Sequence, residues 1–330
     1  SLPPTLPFNG QATGASLRAG SNPAPGVMWI WLFTFFVGMI LMMKFSDYAV
    51  DYSIKLSKLT GIMKMTIGII IIAIMTSLPE LSVSITASLS NAQNLIYGTM
   101  VGSNIADILL VMGGTALVYG IGVGEKYLKR AKEIIIITSL LLLYGLFYGY
   151  DSTFGLMSLL IFFFLSDSLL HQKYKDGKEK GSTIEILITL GKLILIIIMI
   201  LISAEVVTRS SIELSKILGI SETLLGATVV GITTSFPELM VALSAARKKE
   251  MGIIFGTVFG SCFVNIALIL GLSATISTIG IGVREIALLA SLLLTYGLAL
   301  LFMKYKMDRM VGMVMLSIYT LIIIVLSSFG

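Results

Sequence analysis

The sequence is poor in the residues that build disulfides, thiolate metal centres and histidine-dependent sites. Its 330 residues include one cysteine, Cys262, and one histidine, His171. A single cysteine provides neither a disulfide framework nor a thiolate metal site. The histidine begins a polar, lysine-rich segment, and we interpret it as a solvated side chain. Metal-histidine clusters and His-dependent catalytic triads are therefore excluded.

Charged residues are also scarce. They make up 12% of the chain, against 56% hydrophobic residues, and the mean hydropathy is +0.97. Soluble domains carry about 25% charged residues, so this chain cannot bury its apolar surface in one soluble core. The net charge of +5 does not indicate nucleic acid, because the basic residues lie in short segments between apolar runs. The composition indicates a polytopic helical membrane protein.

Proline is nearly absent after residue 26. Of the seven prolines, five precede Gly26, in a segment rich in Gly, Ser and Asn. Residues 1–26 lack a basic region followed by an apolar one, so they do not form a signal peptide. We interpret them as a flexible tail or a vector-derived remnant.

Long apolar runs fill the rest of the chain. Each can span about 30 Å of hydrocarbon at about 1.5 Å per residue, so we predict an all-α protein with ten membrane helices. A polar linker, 172–183, separates a first five-helix repeat, 27–171, from a second, 184–330. The predicted spans are 27–50, 62–90, 95–119, 132–150, 153–171, 184–215, 221–246, 251–277, 284–303 and 309–328.

The basic residues predict the orientation. Most of them follow odd-numbered spans, which places both termini outside and the linker in the cytoplasm. The protein is expected in the cell (plasma) membrane. The basic residues in the predicted cytoplasmic loops are Lys55, Lys58, Lys64, Lys126, Lys129, Arg130, Lys132, Lys173, Lys175, Lys178, Lys180, Arg247, Lys248, Lys249, Lys304, Lys306 and Arg309.

The two halves repeat each other at a constant offset of 158 residues. TSLPEL at 76–81 matches TSFPEL at 234–239, and GTMVGSNIADILLVMG at 98–113 matches GTVFGSCFVNIALILG at 256–271. The repeats extend over 53–116 and 211–274. With five spans in each half, the second half enters the membrane upside down. This is the inverted-repeat plan of secondary transporters, whose sites lie near the midplane.

The two prolines of the membrane region stand in the repeated motifs. Pro79 precedes Glu80, and Pro237 precedes Glu238. A helical proline lacks an N–H and frees the carbonyl four residues back, so helices break there where they face a cavity or an ion. A mid-membrane carboxylate costs about 2.5–3.5 kcal/mol and normally marks an ion path. We therefore predict broken helices at a midplane ion site.

Further oxygen-bearing residues share helix faces with these glutamates. Positions three and four residues apart lie on one face, which groups Thr76 and Ser77 with Glu80, and repeats that group in the second motif. The next helix adds Ser103 with Asp107, and their repeat partners are Ser261 and Asn265. We expect close helix packing at the small residues Gly98, Gly102, Gly256 and Gly260.

The predicted ligand set consists of oxygen atoms alone. Hard cations such as Ca2+ and Na+ prefer carboxylates, amides, hydroxyls and carbonyls, whereas Zn or Cu do not. Three carboxylates, those of Glu80, Asp107 and Glu238, supply three negative charges. One Ca2+ leaves one charge uncompensated, and several Na+ neutralise all three, so the two ions can compete for the same oxygens.

These motifs resemble the alpha-repeats of the Ca2+/cation antiporter superfamily, most of all its sodium/calcium exchanger branch of prokaryotic type. The resemblance implies Na+/Ca2+ antiport by alternating access, with Ca2+ and Na+ as transported ions, H+ or K+ left open, and no cofactor. It implies ion binding by the motif residues and by two carbonyls. The implied ligands are Ala73, Thr76, Ser77, Glu80, Ser103, Asp107, Gly231, Thr234, Ser235, Glu238, Ser261 and Asn265.

The same residues support other functions less well than Na+/Ca2+ exchange. The proton/calcium branch typically has Gly-Asn-x-x-Glu where this chain has Thr-Ser, which favours Na+ over H+ as counter-ion. Proton/Ca2+ exchange with Glu80 or Glu238 as proton carrier remains the alternative. An ion channel ranks lower, and an intramembrane enzyme lower still, because the chain has no HExxH motif. Asp47 and Glu205 are repeat partners that we place at the membrane interface.

Overall fold

The computed structural model describes residues 25–89, 93–171, 181–217, 234–305 and 307–327. Residues 1–24 of the predicted tail, most of the linker, Gly231 and the first half of the predicted seventh span lie outside these residues, and the last two tail residues, Pro25 and Gly26, begin the first helix. The described parts are helical, apart from short connections and two isolated bridges, Ile121 with Met307 and Tyr150 with Ile279.

Helices of the first half follow the predicted order. They are α1 (Pro25–Thr60), α2 (Lys64–Thr76) and α3 (Leu78–Leu89), which form one bent pair, α4 (Leu95–Tyr119), α5 (Glu125–Tyr148) and α6 (Ser152–Leu170). The second half contains α7 (Thr183–Ile217), α8 (Phe236–Arg247), α9 (Met251–Ile276), α10 (Val283–Lys304) and α11 (Arg309–Ser327).

The number of membrane-length helices is lower than the predicted ten within the described residues. Seven of these helices are long and apolar enough to cross a membrane, and the bent α2–α3 pair brings the number to eight. α11 is a shorter apolar helix, and α8 is the described half of the predicted seventh span. The all-helical membrane architecture is thus confirmed, while the full count of ten stays a prediction.

Two basic segments predicted as loops are helical. α1 continues through Lys55 and Lys58 to Thr60, and α5 begins at Glu125, so that Lys126, Lys129 and Lys132 lie in its first turns. Lysine is a good helix former, and its long stem lets a charged head reach water from a helix end near the membrane. The helices thus extend beyond the predicted spans 27–50 and 132–150, whose limits in the membrane stay predictions.

The core lies where α4 and α9 run through the centre of the molecule. Most of α9 is buried, whereas the outer helices keep large apolar side chains exposed, such as Phe33 at 69% and Phe164 at 74%. An apolar exterior around a buried central pair is what a bilayer requires. The central position of α4 and α9 brings the second layer of predicted ligands inside the protein.

Glycines allow α9 to lie directly against α2. A Cβ atom at Gly256 would stand 2.5 Å from the Met65 carbonyl oxygen and 2.8 Å from the Gly68 Cα. One at Gly260 would stand 2.6 Å from the Ile69 Cα. The predicted packing role is confirmed for these two glycines. Around Gly98 and Gly102 no atom of the described residues lies within 4 Å of such a Cβ.

Candidate ion-binding site

The first repeated motif breaks its helix. α2 ends at Thr76 and α3 begins at Leu78, with the two axes 49° apart. Ser77 between them has φ −85° and ψ 9°, in the sparsely populated bridge region where many functional residues sit. Its carbonyl accepts from the Leu81 amide at 3.0 Å, which starts the new helix. The broken helix predicted from Pro79 is confirmed, and the break lies two residues before the proline.

The second motif has the same local geometry. Ser235 has φ −88° and ψ 3°, within a few degrees of Ser77, and its carbonyl accepts from the Leu239 amide at 3.0 Å. Pro237 then falls in the first turn of α8, where a missing N–H costs nothing. Equal backbone angles at residues 158 positions apart show that the repeated motifs also repeat in structure.

The three predicted acids lie close together inside the protein. Glu80, Asp107 and Glu238 are each at most 3% exposed, and Glu238 is near enough to both others for their charges to repel. Several of their oxygens have no hydrogen-bond partner among the described residues: Glu80 Oε2, Asp107 Oδ2 and both oxygens of Glu238. Buried carboxylates are costly unless paired or bound to a cation. The arrangement therefore favours a bound cation.

Hydroxyl groups connect the two halves beside these acids. The hydroxyl oxygens of Ser77 and Ser261 are 3.3 Å apart, and Ser261 lies beside Asp107. Thr76 lies beside Glu238 and donates its proton to the Ile72 carbonyl at 3.0 Å. A hydroxyl that gives its proton to the backbone keeps its lone pairs free for a cation.

Most of the remaining predicted ligands are buried as well. Ala73, Ser235 and Asn265 are buried, as is Ser103 at 8% exposure. The Ala73 carbonyl accepts from the Ser77 amide at 3.0 Å, and the Thr76 hydroxyl lies 3.3 Å from the same carbonyl oxygen. Thr234 begins the described part of its motif and is half-buried. Gly231 lies outside the described residues.

Carboxylates alone do not form this site. Within the described ranges, no group of three or more His, Cys, Asp or Glu side chains is placed to hold one metal ion. A cation bound here therefore needs oxygens from hydroxyls, the Asn265 amide or the backbone in addition to the acids. Ca2+, which takes six to eight oxygen ligands, suits such a mixed set.

Turns of π-helix accompany the second layer of ligands. They occupy Asp107–Met112 in α4 and Val264–Leu270 in α9, at equivalent positions of the repeats, and Gly68–Ile72 in α2. Such turns often mark functional sites because they disturb the regular hydrogen bonds of a helix. The Ser158 hydroxyl on α6 donates to the carbonyl of Ala267, which lies in the π-helical turn of α9, at 3.2 Å. Hydrophobic periodicity gave no signal for these turns.

The repeat partners Asp47 and Glu205 lie away from the acids. Asp47 on α1 accepts from Ser244 and Arg247 at the end of α8, and Glu205 pairs with Arg209 on its own helix at 2.6 Å. The Glu205 side chain is 58% exposed. Their position at the membrane interface stays a prediction.

Comparison with known proteins identifies the family. The model of the family described as "Sodium/calcium exchanger protein" matches residues 30–166 and 188–328. The chain belongs to this family. A sodium/calcium exchanger of Methanosarcina acetivorans, MaX1, is 28% identical to it over 340 residues, covering 88% of this chain and 96% of the relative. The inner membrane protein YrbG of Escherichia coli is 33% identical over 257 residues, covering 73% and 78%.

A solved member of the family has the same fold. The sodium-calcium exchanger NCX_Mj superimposes with a TM-score of 0.76 at 28% identity, covering 88% of this chain and 97% of that one. As a member of the sodium/calcium exchanger family, the chain is an integral membrane protein, and the relatives named as exchangers or antiporters are transporters. The resemblance inferred from the motifs is confirmed.

Proposed function

We propose that this protein exchanges Na+ for Ca2+ across the membrane at one site shared by its two repeats. The observation that carries the proposal is the group of buried acids contributed by α3, α4 and α8, several of whose oxygens have no partner among the described residues. Membership of the sodium/calcium exchanger family supports the choice of ions.

The charge of the site gives the exchange its physical basis. Three carboxylates crowded together need about three positive charges to balance them. One Ca2+ leaves one negative charge, whereas three Na+ neutralise the site, so the two occupancies exclude each other. We propose as ligands the twelve residues implied by the motif resemblance, from Ala73 to Asn265, with the ions as substrates and no cofactor.

Two long helices are the candidates for the moving part. α1 and α7 pack side by side, with the Thr34 and Ser210 hydroxyls 2.9 Å apart near one end and Lys55 paired with Glu185 at 3.0 Å near the other. We propose that this pair slides as a unit against the remaining helices, so that the site faces each side of the membrane in turn.

The same contacts support an inverted repeat. The start of α1 lies against the end of α7, and the end of α1 lies against the start of α7, so these two equivalent helices run in opposite directions. We propose ten spans in two inverted halves, 27–171 and 184–330, with 172–183 as a cytoplasmic linker and both termini outside. The separate family matches to 30–166 and 188–328 support this division.

Reconstitution in liposomes tests the function. We expect Ca2+ uptake when an outward Na+ gradient is imposed and none when K+ replaces Na+. Uptake that follows a pH gradient and ignores Na+ would instead establish proton/Ca2+ exchange, and a Ca2+ current without any counter-ion would establish a channel. Vesicles that carry the Glu80→Gln variant serve as the matched control for leakage.

The Asp107→Asn variant tests the charge balance. It keeps one oxygen at position 107 and lowers the site charge from −3 to −2, which a single Ca2+ neutralises. We expect Ca2+ binding to fall less than about tenfold, while the Na+ concentration for half-maximal exchange rises and its dependence becomes less steep. Complete loss of Ca2+ binding in titration calorimetry would show instead that Asp107 is a primary Ca2+ ligand.

A further inference from the structure

A buried amide outside the predicted ligand set contacts the site. Asn104 stands on α4 between Ser103 and Asp107 and has no exposed surface. Its Oδ1 accepts from Asn265 Nδ2 at 3.0 Å. Its Nδ2 donates to the Cys262 carbonyl at 3.2 Å and to the Tyr296 hydroxyl at 3.1 Å. The side chain thus connects a predicted ligand on α9 with α10.

The Cys262 carbonyl decides which way both amides point. A backbone carbonyl can only accept, so the nitrogen of Asn104 must face it and the oxygen must face away. That oxygen lies against Asn265 and can only accept in turn, so Asn265 must present its nitrogen to Asn104. The Asn265 oxygen is then directed elsewhere, and it is buried without a partner among the described residues.

No other described neighbour of Asn265 fixes its amide in this way. The Ser261 hydroxyl lies 3.5 Å from Asn265 Nδ2, but a hydroxyl both donates and accepts, so it tolerates either end of an amide. Without Asn104, Asn265 could turn its NH2 group toward the cation. A cation is attracted by the carbonyl oxygen and repelled by the NH2 hydrogens.

The two repeats differ at the position where the orientation of a ligand amide has to be fixed. The repeat partner of Asn265 is Asp107, whose two oxygens are alike, so its rotation does not change what a cation meets. The repeat partner of Asn104 is Cys262, which has no amide. The amide ligand Asn265 is therefore accompanied by an orienting amide, that of Asn104. The carboxylate of Asp107 has only Cys262 at the equivalent position.

Two buried hydroxyl groups, those of Tyr296 and Thr138, hold Asn104 itself. The Tyr296 hydroxyl, which accepts from Asn104, lies 3.4 Å from the Thr138 hydroxyl on α5. Tyr296 is 2% exposed and Thr138 is fully buried, so water does not compete for these contacts. The chain of contacts from α5 through α10 to α4 restricts Asn104 to one rotamer.

We propose that Asn104 is a positioning residue that holds the Asn265 amide oxygen toward the bound cation, with Tyr296 holding Asn104. This inference rests on the proposed function, because it assigns a role at the same cation site. Partners of metal ligands that act in this way typically change metal affinity by about 10–100-fold when they are removed.

The Asn104→Leu variant tests the proposal, since leucine has a similar volume and no polar atom. We expect its Ca2+ dissociation constant, from titration calorimetry of the purified protein, to rise about tenfold or more. In liposomes the KM for Ca2+ should rise while the maximal rate changes less. Unchanged Ca2+ affinity in a folded Asn104→Leu protein would overturn the proposal.

A variant in which the residues at positions 107 and 265 are exchanged distinguishes a loss of amide orientation from a general loss of structure. In Asp107→Asn/Asn265→Asp the total charge is kept and position 265 carries a carboxylate that needs no orienting. Adding Asn104→Leu there should cost much less Ca2+ affinity than it costs in the native protein. An equal loss in both backgrounds would show that Asn104 does not act through the Asn265 amide.

A milder variant covers the case in which Asn104→Leu does not fold. Tyr296→Phe removes one hydroxyl and keeps the ring, and it should raise the Ca2+ dissociation constant by a smaller factor than Asn104→Leu. A lower Tm with unchanged Ca2+ affinity would mean that the network is only structural. Na+-driven Ca2+ uptake by the native protein is measured in parallel, so a failure of the proposed function is seen separately.

Discussion

Glu80→Gln and Glu238→Gln are each expected to abolish Na+-driven Ca2+ uptake. Each change replaces one carboxylate oxygen of a glutamate that we propose to bind Ca2+ directly by an NH2 group that repels cations, whereas Asp107 is expected to act mainly in Na+ binding. The initial rate of uptake into liposomes measures the effect.

Glu285→Gln is the matched control for these variants. Glu285 is also a buried glutamate, at 5% exposure, but its carboxylate accepts from the Gly282 amide at 2.9 Å at the start of α10. A glutamine oxygen can accept the same hydrogen bond, so uptake should stay near the native rate. Near-normal exchange by either Glu80→Gln or Glu238→Gln would refute a single site shared by both repeats.

Gly256→Ala is expected to be the most damaging single-methyl change on α9. The added Cβ would lie 2.5 Å from the Met65 carbonyl oxygen and 2.8 Å from the Gly68 Cα, and backbone atoms cannot move aside as a flexible side chain can. Overpacking of this kind costs about 1–3 kcal/mol. It also pushes α9 away from α2, and with it Asn265 away from the broken helix.

Gly191→Ala provides the comparison for this variant. Gly191 lies inside α7, and beyond the backbone of its own helix no atom of the described residues stands within 4 Å of an added Cβ there, so alanine should be neutral or slightly stabilising through its helix propensity. We expect a lower Tm and at least a tenfold loss of uptake for Gly256→Ala, measured by thermal denaturation and by transport. Equal stability of the two variants would contradict the tight α2–α9 contact.

The chemistry of the site was more predictable than its detailed geometry. A proline next to a glutamate in an apolar run predicts a break and an ion path on energetic grounds alone, and the break at Ser77 and the buried acids agree with that. Span limits were less predictable, because Lys55 and Lys126 can belong to a helix or to a loop on composition. The structure shows helix at both.

Asn104 and the π-helical turns could not be derived from periodicity. Asn104 is a polar residue that is fully buried, which the sequence does not reveal. Its role follows only from its contacts with α9 and α10. The hydrophobic pattern is continuous through the π-helical turns, and a contact such as that of Ser158 with the Ala267 carbonyl is visible only in the folded protein. One available signal was the place of Asn104 in the Gly-Ser-Asn sequence of the first repeat, where the second repeat has Gly-Ser-Cys.

From the contacts between α1 and the end of α8 we expect turnover to be sensitive to the electrolyte at that face of the protein. Asp47 pairs with Arg247, and Asp51 pairs with Lys248 at 2.6 Å, with several of these side chains partly open to water. Such pairs are screened by salt. If α1 moves during exchange, these pairs separate in each cycle. The ionic strength at that face then sets how readily the cycle begins, independently of which ions occupy the site.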